Sequence, residues 1–495
     1  MKGKVWLVGA GPGDAGLLTV KADRVLKEAE VIVYDHLAGR DILTQYASGK
    51  ELIDVGKTAG RHLVPQEKIN DLLAEKAKEG KRVVRLKGGD PFLFGRGGEE
   101  LERLIEENIP FEVVPGVTSA TAVPAYSGIP VTHRDFASSV HVVTGHARKG
   151  RKSGINYRAL VESGGTCLFL MGVGALPDIV KGLLEAGMEA DMPAAVLQEG
   201  TTAGQKKVVA TVGTIEQAAK EACVTPPAVI VVGEVCRMSD AMDWYRCLPL
   251  AGMRVLLTRP KELISATAEK LRKKGAEVLE VPTIETIPIN GALKRLKNIE
   301  AFDWIVFTSQ TGVRIFFEGL REMQTDIRKL HRAKFAVIGE GTRKALADFG
   351  IYADVMPEKY DGEHLAKALA VREIAGLDIL IPRAEKGNRE LVPLLEKAGA
   401  KVCDLPIYRT VYNENMGGLI QEELKKGRID CAVFTSSSTV EGFAKTVQGA
   451  DFSKVKAACI GRKTMDTAAK YGMQCFVAEK ETIDSVIELV EKIKL

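Results

Sequence analysis

Residues 83–100 form a glycine-rich, charged stretch whose residue types suit a chemical role better than any other part of the chain. The stretch reads VVRLKGGDPFLFGRGGEE. Glycines let backbone N–H groups approach a ligand, because no Cβ atom intervenes. Asp90 can accept hydrogen bonds from a hydroxyl or an amine, and Arg96 and Glu99 would share one face of a helix that begins near Gly95. The stretch predicts a small-molecule site, although a simple strand-to-helix turn would explain any single Gly-Gly-Asp.

A second glycine-rich turn, GAGPGD at residues 9–14, follows the first predicted strand. Gly11, Gly13 and Gly16 match the GxGxxG spacing of a dinucleotide-binding turn, with an acid about 20 residues further on. Pro12, however, removes an N–H group from the turn that would have to hold a pyrophosphate. The glycine spacing makes an NAD(P)-dependent oxidoreductase a competing hypothesis. That hypothesis does not explain the stretch at 83–100.

Composition limits the classes of protein to which the chain can belong. Its 495 residues exceed what one hydrophobic core usually serves, so two to four domains are expected. The net charge of +4 is too small to indicate nucleic-acid binding. The eight cysteines include no CxxC pair, which suits reduced thiols. No signal-peptide pattern opens the chain, and no apolar run approaches about 18 residues. We expect a cytoplasmic α/β protein that binds neither nucleic acid nor a membrane.

Strands alternate with predicted helices through the first half of the chain, including a helix from about Leu17 to Ala29. Pro115-Gly116 is a candidate hinge between two lobes, at about 1–115 and 116–247, with a ligand between them. The polar segment 237–253 has no clear periodicity and predicts a domain boundary. We expect a first domain at 1–247 and a second domain at 253–495.

The second half contains an internal repeat with an offset of about 124 residues. The repeated blocks are 303–309 with 430–436, 335–339 with 457–461, and 255–259 with 379–383. The repeat predicts two similar α/β lobes with mostly parallel sheets. The turns at 308–311 and 435–438 supply hydroxyls and N–H groups at helix N-termini, which suits carboxylate binding. Ordinary N-capping by Ser and Thr would also explain each turn.

On these motifs, residues 4–236 resemble uroporphyrinogen-III C-methyltransferase, of the tetrapyrrole methylase family. The motifs are VGAGPGDAGLLT, VIVYDHL, VGKTAGRH, RLKGGDPFLFGRGGEE, VVPGVTSA, YSGIPVTHRD, FLMG and PAVIVVGEV. Residues 253–495 resemble uroporphyrinogen-III synthase through the two-lobe repeat and VLLTRP, VFTSQTGV, VIGEGT, YRT and VFTSSSTV. The resemblances imply a two-lobed methylase fold followed by a two-lobed synthase fold.

Together the two resemblances imply consecutive steps of one pathway. The synthase family closes hydroxymethylbilane to uroporphyrinogen III and inverts the last pyrrole ring. The methylase family then adds two methyl groups from S-adenosylmethionine, at C2 and C7, to give precorrin-2 on the way to sirohaem and cobalamin. The resemblance further implies a homodimer through the first half, and no metal or nicotinamide cofactor.

The methylase resemblance assigns a methyl-donor site and several acid–base candidates. The residues that match the family's S-adenosylmethionine site are Pro12, Gly88, Gly89, Asp90, Leu93, Thr118, Ser119, Met171 and Gly200. The family's acid–base positions fall on Asp35 and Lys57, with Arg96, Glu99 and Arg134 as rivals. Because an arginine is a poor base at its usual pKa, Arg96 and Arg134 are first interpreted as clamps for substrate propionates. His36 stands where the family often has an arginine, which weakens one expected substrate contact.

The synthase resemblance assigns fewer roles. Tyr408 is a candidate proton donor to the leaving hydroxyl, although an inter-lobe packing aromatic explains it equally well. Thr342 and Thr464 match family positions for binding, and Ser436 is a further candidate for the substrate. Arg259 and Arg383 occupy matching strand ends, and the sequence leaves open whether they face a cleft or solvent. A second alternative hypothesis is that this half is a tetrapyrrole-binding module without catalysis.

Overall fold

The computed structural model describes residues 3–47, 49–56, 64–145, 154–259, 261–296, 298–386, 390–412 and 417–494, without the side chains of 261–263. The chain forms two compact units: unit 1 is Met1–Pro282 with Glu414–Leu495, and unit 2 is Thr283–Asn413. Both units are α/β, as predicted. Among the helices in these ranges, none is long and apolar enough to cross a membrane.

The first part of unit 1 is a parallel sheet, sheet 1, with helices on both faces. Its strands are β1 (Lys4–Gly9), β2 (Val31–Tyr34), β3 (Glu51–Asp54), β4 (Arg82–Lys87) and β5 (Phe111–Val114). The helices are α1 (Val20–Glu28), α2 (Arg40–Tyr46), α3 (Gln66–Lys78) and α4 (Gly97–Glu106). The strand order is β3-β2-β4-β1-β5, with every neighbouring pair parallel. Because β1 is buried on both faces, Val5 and Leu7 enter one apolar core and Val8 enters the other.

Sheet 2, also in unit 1, is mixed. Its strands are β6 (Val140–Thr144), β7 (Thr166–Leu170), β8 (Pro193–Gln198), β9 (Lys206–Thr211) and β10 (Ala228–Val232). The helices are α5 (Ser119–Tyr126), α6 (Tyr157–Ser163), α7 (Leu176–Glu185) and α8 (Ile215–Glu221). The order is β6-β7-β10-β8-β9, in which β6 and β7 are parallel and the other pairs are antiparallel.

From residue 254 onward the elements form two further sheets. The strands are β11 (Arg254–Leu257), β12 (Glu277–Glu280), β13 (Ile284–Pro288), β14 (Trp304–Phe307), β15 (Lys334–Val337), β16 (Asp378–Ala384), β17 (Lys401–Tyr412), β18 (Cys431–Phe434), β19 (Lys456–Cys459) and β20 (Gln474–Val477). The helices are α9 (Lys261–Lys273), α10 (Gln310–Glu322), α11 (Glu340–Ala347), α12 (Gly362–Ala370), α13 (Leu391–Lys397), α14 (Gly417–Lys425), α15 (Ser437–Thr446), α16 (Arg462–Lys470) and α17 (Ile483–Lys494).

The two copies of the sequence repeat are exchanged between these sheets. Sheet 3, in unit 1, has the order β12-β11-β18-β19-β20, and sheet 4, in unit 2, has the order β13-β17-β16-β14-β15. The repeat equates β11 with β16, β12 with β17, β18 with β14 and β19 with β15, so corresponding strands lie in the same order. Each sheet nevertheless takes two of these strands from each copy. Both sheets are parallel except for the β13–β17 pair, which confirms the predicted mostly parallel lobes.

Candidate functional site

The two glycine-rich turns of the first half meet at one edge of sheet 1. Gly11 N–H donates to the Gly89 carbonyl at 3.2 Å, and Gly89 N–H donates to the Gly11 carbonyl at 2.7 Å. A Cβ atom on Gly9 would lie 2.5 Å from Gly116 Cα, and one on Gly116 would lie 2.2 Å from the Gly89 carbonyl oxygen. These distances are too short for any side chain, so glycine is required where the turns after β1, β4 and β5 touch.

Asp90 holds this set of turns together. Its Oδ1 accepts hydrogen bonds from the N–H groups of Phe92 at 2.8 Å and Leu93 at 3.2 Å. Its Oδ2 accepts from Gly116 N–H at 3.0 Å. A carboxylate has about four lone-pair positions, so Asp90 keeps capacity for one ligand donor while it fixes the backbone. Its first role is therefore structural, which the sequence did not indicate.

The predicted methyl-donor residues lie on adjoining segments. Thr118 caps α5 by accepting from Ala120 N–H at 3.2 Å, and a Cβ atom on Gly89 would lie 3.9 Å from the Ser119 nitrogen. On the other side, a Cβ atom on Gly13 would lie 2.6 Å from Thr202 Cγ2. The structure thus brings the turn that contains Pro12 beside the segment that contains Gly200, and both glycine turns beside the start of α5.

Leu93 and Met171 are placed by sheet 2. Leu93 packs against the apolar cluster that includes Val123 and Leu170. Met171 directly follows β7 with a left-handed backbone, at φ 56°, and is 53% exposed. Non-glycine residues in this conformation concentrate at functional sites, because the surrounding structure must hold them there.

The alternative dinucleotide site is not supported by the geometry of the first turn. The fingerprint places a helix N-terminus directly behind the glycines. Here a short 3₁₀ turn, Ala15–Leu17, intervenes, and α1 begins only at Val20, where the side chain of Thr19 accepts from Ala22 N–H at 3.1 Å. The helix predicted from about Leu17 therefore begins later, and its N-terminus is capped by its own chain.

A buried network of charged groups lies beneath the candidate acid Asp35. Asp35 follows β2 and is 26% exposed, and its Oδ2 accepts from Arg85 Nη2 at 2.8 Å. Arg85 Nε donates to Glu100 Oε1 at 3.2 Å, and Lys87 Nζ donates to the same oxygen at 2.9 Å. The other carboxylate oxygen of Glu100 has no hydrogen-bond partner within the described ranges. The network joins the ends of β2 and β4 to the first turn of α4.

This network is almost fully removed from water. The side chains of Arg85, Lys87 and Glu100 are 4%, 6% and 0% exposed. Burial, together with the nearby Arg85 guanidinium, lowers the pKa of Lys87, while the Glu100 carboxylate opposes that change. These three residues were not among the predicted site residues. The available signal was two cations, at alternate positions of the apolar strand VVRLK, in a sheet that is buried on both faces.

The rival candidates are less constrained. Arg96 Nε donates to Glu99 Oε1 at 2.9 Å, and the two side chains are 56% and 50% exposed. The hydrogen bond to Glu99 raises the pKa of Arg96, which makes this guanidinium still less suited to be a base.

Arg134 is exposed and has no ion pair with another described residue. Lys57 lies outside the described residues. The His36 ring packs on Gly56, with Nε2 3.8 Å from Asp54 Oδ2.

Unit 2 contains the candidate residues Tyr408 and Thr342. The Tyr408 hydroxyl lies 2.8 Å from Ser309 Oγ, which also accepts from Gly312 N–H at 2.9 Å as the cap of α10. Tyr408 is 6% exposed, and its burial raises its pKa, with the Ser309 hydrogen bond acting in the opposite direction. Thr342 is buried in the first turn of α11. Tyr408 thus packs in the core of this lobe, and its hydroxyl group is fixed by a hydrogen bond to Ser309.

In unit 1 the corresponding positions are Ser436 and Thr464. Ser436 caps α15 through Thr439 and lies with its Oγ 2.9 Å from Ser438 Oγ. Thr464 is buried in the first turn of α16. N-capping accounts for Ser436 locally, so its predicted role toward a substrate remains a prediction.

Comparison with known protein families finds a match in each half. Residues 4–216 match the family described as Tetrapyrrole (Corrin/Porphyrin) Methylases. Residues 265–488 match the family described as Uroporphyrinogen-III synthase HemD.

Similar proteins include one that spans both halves. The chain is 46% identical over 489 residues to the porphyrin biosynthesis protein HemD of Ruminiclostridium josui, across 98% of this chain and 97% of that protein. It is 41% identical over 352 residues to the uroporphyrinogen-III C-methyltransferase of Bacillus subtilis (strain 168), across 70% of this chain and 72% of that protein. It is 52% identical over 245 residues to the S-adenosyl-L-methionine-dependent uroporphyrinogen III methyltransferase of Methanosarcina barkeri, across 49% of this chain and 96% of that protein.

Proposed function

Because the chain belongs to the family of tetrapyrrole-biosynthesis enzymes that join a tetrapyrrole methylase to a uroporphyrinogen-III synthase, we propose that its halves catalyse two consecutive reactions. In this proposal residues 253–495 close hydroxymethylbilane to uroporphyrinogen III with inversion of ring D. Residues 1–247 then methylate that product at C2 and C7 to give precorrin-2. The observation that carries the methylation step is the meeting of both glycine turns beside Asp35 and its buried network.

The residues around the paired turns fit the methyl donor that we propose. In this proposal S-adenosylmethionine supplies the methyl group. Because Gly9 and Gly116 carry no Cβ atoms, the turns after β1, β4 and β5 pack against one another and offer a cradle of backbone groups to such a molecule. We assign the donor to this cradle and to the segments of Thr118-Ser119 and Gly200. The rate of methyl transfer to a pyrrole carbon depends mainly on how the donor and the substrate are aligned. A rigid donor site at the glycine turns would therefore make the largest contribution to the rate.

We further propose that Asp35 is the base that removes the proton after methyl transfer. Its support is that Arg85 donates to one carboxylate oxygen and Leu37 N–H donates to the other at 3.1 Å, which holds a partly exposed acid at the edge of the sheet. Lys57 remains a second candidate. Arg134, exposed and unpaired in the described part of the chain, is proposed to hold a substrate propionate, and Arg96 joins it only after releasing Glu99.

Substitution Gly116→Ala is expected to weaken S-adenosylmethionine binding at least about tenfold and to lower stability by about 1–3 kcal/mol, because the new methyl group collides with backbone. Isothermal titration and thermal unfolding measure the two effects. Gly98→Ala in α4 is the matched control, because a Cβ atom there meets nothing within 4 Å. Equal affinities and equal stabilities of the two variants would contradict the expectation that only glycine is tolerated at position 116.

In the second half we propose that Tyr408 donates a hydrogen bond or proton to the leaving hydroxyl, with Thr342, Ser436 and Thr464 binding substrate. Tyr408→Phe is expected to slow formation of the type III isomer about tenfold or more. The same change lowers stability by only about 1 kcal/mol, since it removes one hydroxyl hydrogen bond. Tyr352→Phe, at an 81% exposed tyrosine, is the control. An unchanged rate would leave Tyr408 as a packing residue alone.

The direct test of the proposed function is anaerobic conversion of hydroxymethylbilane, with and without S-adenosylmethionine, followed by isomer separation and mass analysis. We expect the type III isomer without the donor and a gain of two methyl groups with it. Formation of the type I isomer alone, which arises spontaneously, would replace the synthase assignment with the alternative of a non-catalytic tetrapyrrole-binding module.

We also propose the setting in which these reactions occur. The proposal is a cytoplasmic homodimer, joined through the first half, that acts on small molecules and needs no metal, nucleic acid or membrane. All eight cysteines are free thiols, which fits a reducing compartment. No cluster of metal-binding side chains occurs in the ranges that the structure describes.

A further inference from the structure

Two arginines at corresponding positions of the repeat differ in their partners. Arg259 follows β11 in sheet 3, and Arg383 lies near the end of β16 in sheet 4. Both are buried, at 8% and 5% exposure. The sequence left open what these residues face, and the structure answers differently for each.

Arg383 is neutralised within its own lobe. Its Nε and Nη2 donate to both carboxylate oxygens of Asp404, on the neighbouring strand β17. In the register of sheet 4, Ile381 lies beside Asp404, and in sheet 3 Leu257 lies beside Glu280 in the same way. Glu280 is therefore the acid that corresponds to Asp404.

Glu280 does not serve Arg259. Its Oε1 accepts from Arg272 Nη1 at 2.7 Å, and Glu280 is 4% exposed in that pair. Arg259 consequently has no ion pair with the acid that corresponds to Asp404.

Arg259 is a buried guanidinium with unused donors. Among the described residues, its one side-chain hydrogen bond runs from Nη1 to Thr267 Oγ1 at 2.8 Å. Within the part of the chain that the structure describes, its Nε is buried without a hydrogen-bond partner, and no carboxylate lies within ion-pair distance of the guanidinium. Burial without a counter-charge lowers the pKa of Arg259 to about 10. Because a buried charge is unfavourable unless it is paired, this guanidinium has the chemistry to pair with an external anion.

The position of Arg259 suits a ligand. β11 is parallel to β18, with Leu257 beside Val433, and Thr258 Oγ1 donates to the Val433 carbonyl at 2.9 Å. Arg259 therefore emerges at the carboxyl edge of sheet 3, where Ser436 caps α15. The carboxyl edge of a parallel sheet is where α/β folds bind ligands.

We propose that Arg259 is a carboxylate-binding residue that takes an acetate or propionate side chain of the linear tetrapyrrole substrate. The inference rests on the proposed synthase function for the identity of the ligand. It rests on the unpaired guanidinium alone for the class of the ligand. Bidentate pairing with a carboxylate would use the donors that Asp404 occupies on Arg383.

The test compares Arg259→Gln, Arg259→Lys and Arg383→Gln in the full chain. In type III isomer formation, Arg259→Gln is expected to raise the KM for hydroxymethylbilane about 10- to 100-fold, with a smaller change in kcat. Arg259→Lys gives an intermediate KM, because lysine keeps the charge without the planar fork. An unchanged KM for Arg259→Gln would overturn the proposal.

Thermal unfolding without substrate gives a readout that does not depend on turnover. Arg259→Gln is expected to keep or raise the Tm, since it removes an unpaired buried charge, whereas Arg383→Gln lowers the Tm by leaving Asp404 unpaired. A Tm loss for Arg259→Gln equal to that for Arg383→Gln would mean that Arg259 is paired within the chain, and would overturn the proposal.

Succinate and inorganic phosphate separate the sources of the anion. We expect succinate to raise the Tm of the wild type and not of Arg259→Gln. Stabilisation by phosphate alone would mark an inorganic-anion site and overturn the proposal. If the wild type forms no type III isomer, the proposed synthase function fails, and the succinate result then decides the role of Arg259 by itself.

Discussion

Replacement of Asp35 by asparagine is expected to slow methyl transfer by about 10²- to 10⁴-fold, the range typical for loss of a general base. Asparagine keeps the shape of the side chain and can still accept the hydrogen bond from Arg85, yet it cannot take up a proton. Affinity for S-adenosylmethionine should stay unchanged, because the glycine turns remain intact. Anaerobic single-turnover assays with uroporphyrinogen III and labelled donor would measure the rate.

The matched control for this experiment is Asp54→Asn. Asp54 ends β3, the strand next to β2, and its Oδ1 accepts from Gly56 N–H at 2.8 Å. It is an acid at the same edge of the same sheet, without the contact to Arg85, so its replacement should change the rate less than about twofold. A rate for Asp35→Asn above about one tenth of wild type would exclude Asp35 as the base and favour Lys57.

Replacement of Glu100 by glutamine is expected to lower the stability of the methylase half by about 3 kcal/mol or more, because removal of one partner leaves buried charges uncompensated. Glu100 is the shared acceptor for Arg85 and Lys87, so Lys87 would lose the carboxylate that it contacts, and Arg85 would keep only Asp35. Methyl transfer should also fall, since Arg85 would no longer be anchored beneath Asp35. Thermal unfolding and the single-turnover rate, measured on one preparation, would report both effects.

Glu99→Gln provides the comparison, because Glu99 precedes Glu100 in α4 and pairs with Arg96 at the surface. With half of its side chain exposed, Glu99 should contribute no more than about 1 kcal/mol to stability. Similar losses for the two variants would show that the Glu100 network does not stabilise this half. A Glu100→Gln variant with normal stability and a reduced rate would instead assign the network to positioning alone.

Several features of this protein could be predicted from the sequence because they depend on short-range constraints. Glycine is needed where two backbone segments approach too closely for a Cβ atom. The turns at 9–14 and 88–90 could therefore be recognised as glycine motifs, and the structure joins them through Gly11 and Gly89. Strand and helix alternation follows from apolar periodicity, which predicted the α/β class. The repeat in the second half was visible because equivalent strands require equivalent apolar blocks.

The choice of interaction partners was decided only by the tertiary structure. Sequence similarity between the repeat copies could not show that each sheet takes strands from both, because pairing depends on how the connections cross rather than on strand composition. Likewise the glycine-rich stretch at 83–100 contains Lys87 and Glu100, but its sequence does not indicate that they share a buried network with Asp35 and Arg85.

Arg259 and Arg383 are the sharpest case of this division. Their sequence contexts, LLTRP and LIPRA, predict the same strand-end position, and the structure confirms that position in both lobes. Asp404 neutralises Arg383, whereas the matching Glu280 pairs with Arg272, so that Arg259 has no carboxylate partner among the described residues. The sequence determined where the charges stand along the strands. Only the packed structure decided which charges meet, because an ion pair depends on distances between side chains that are far apart in the chain.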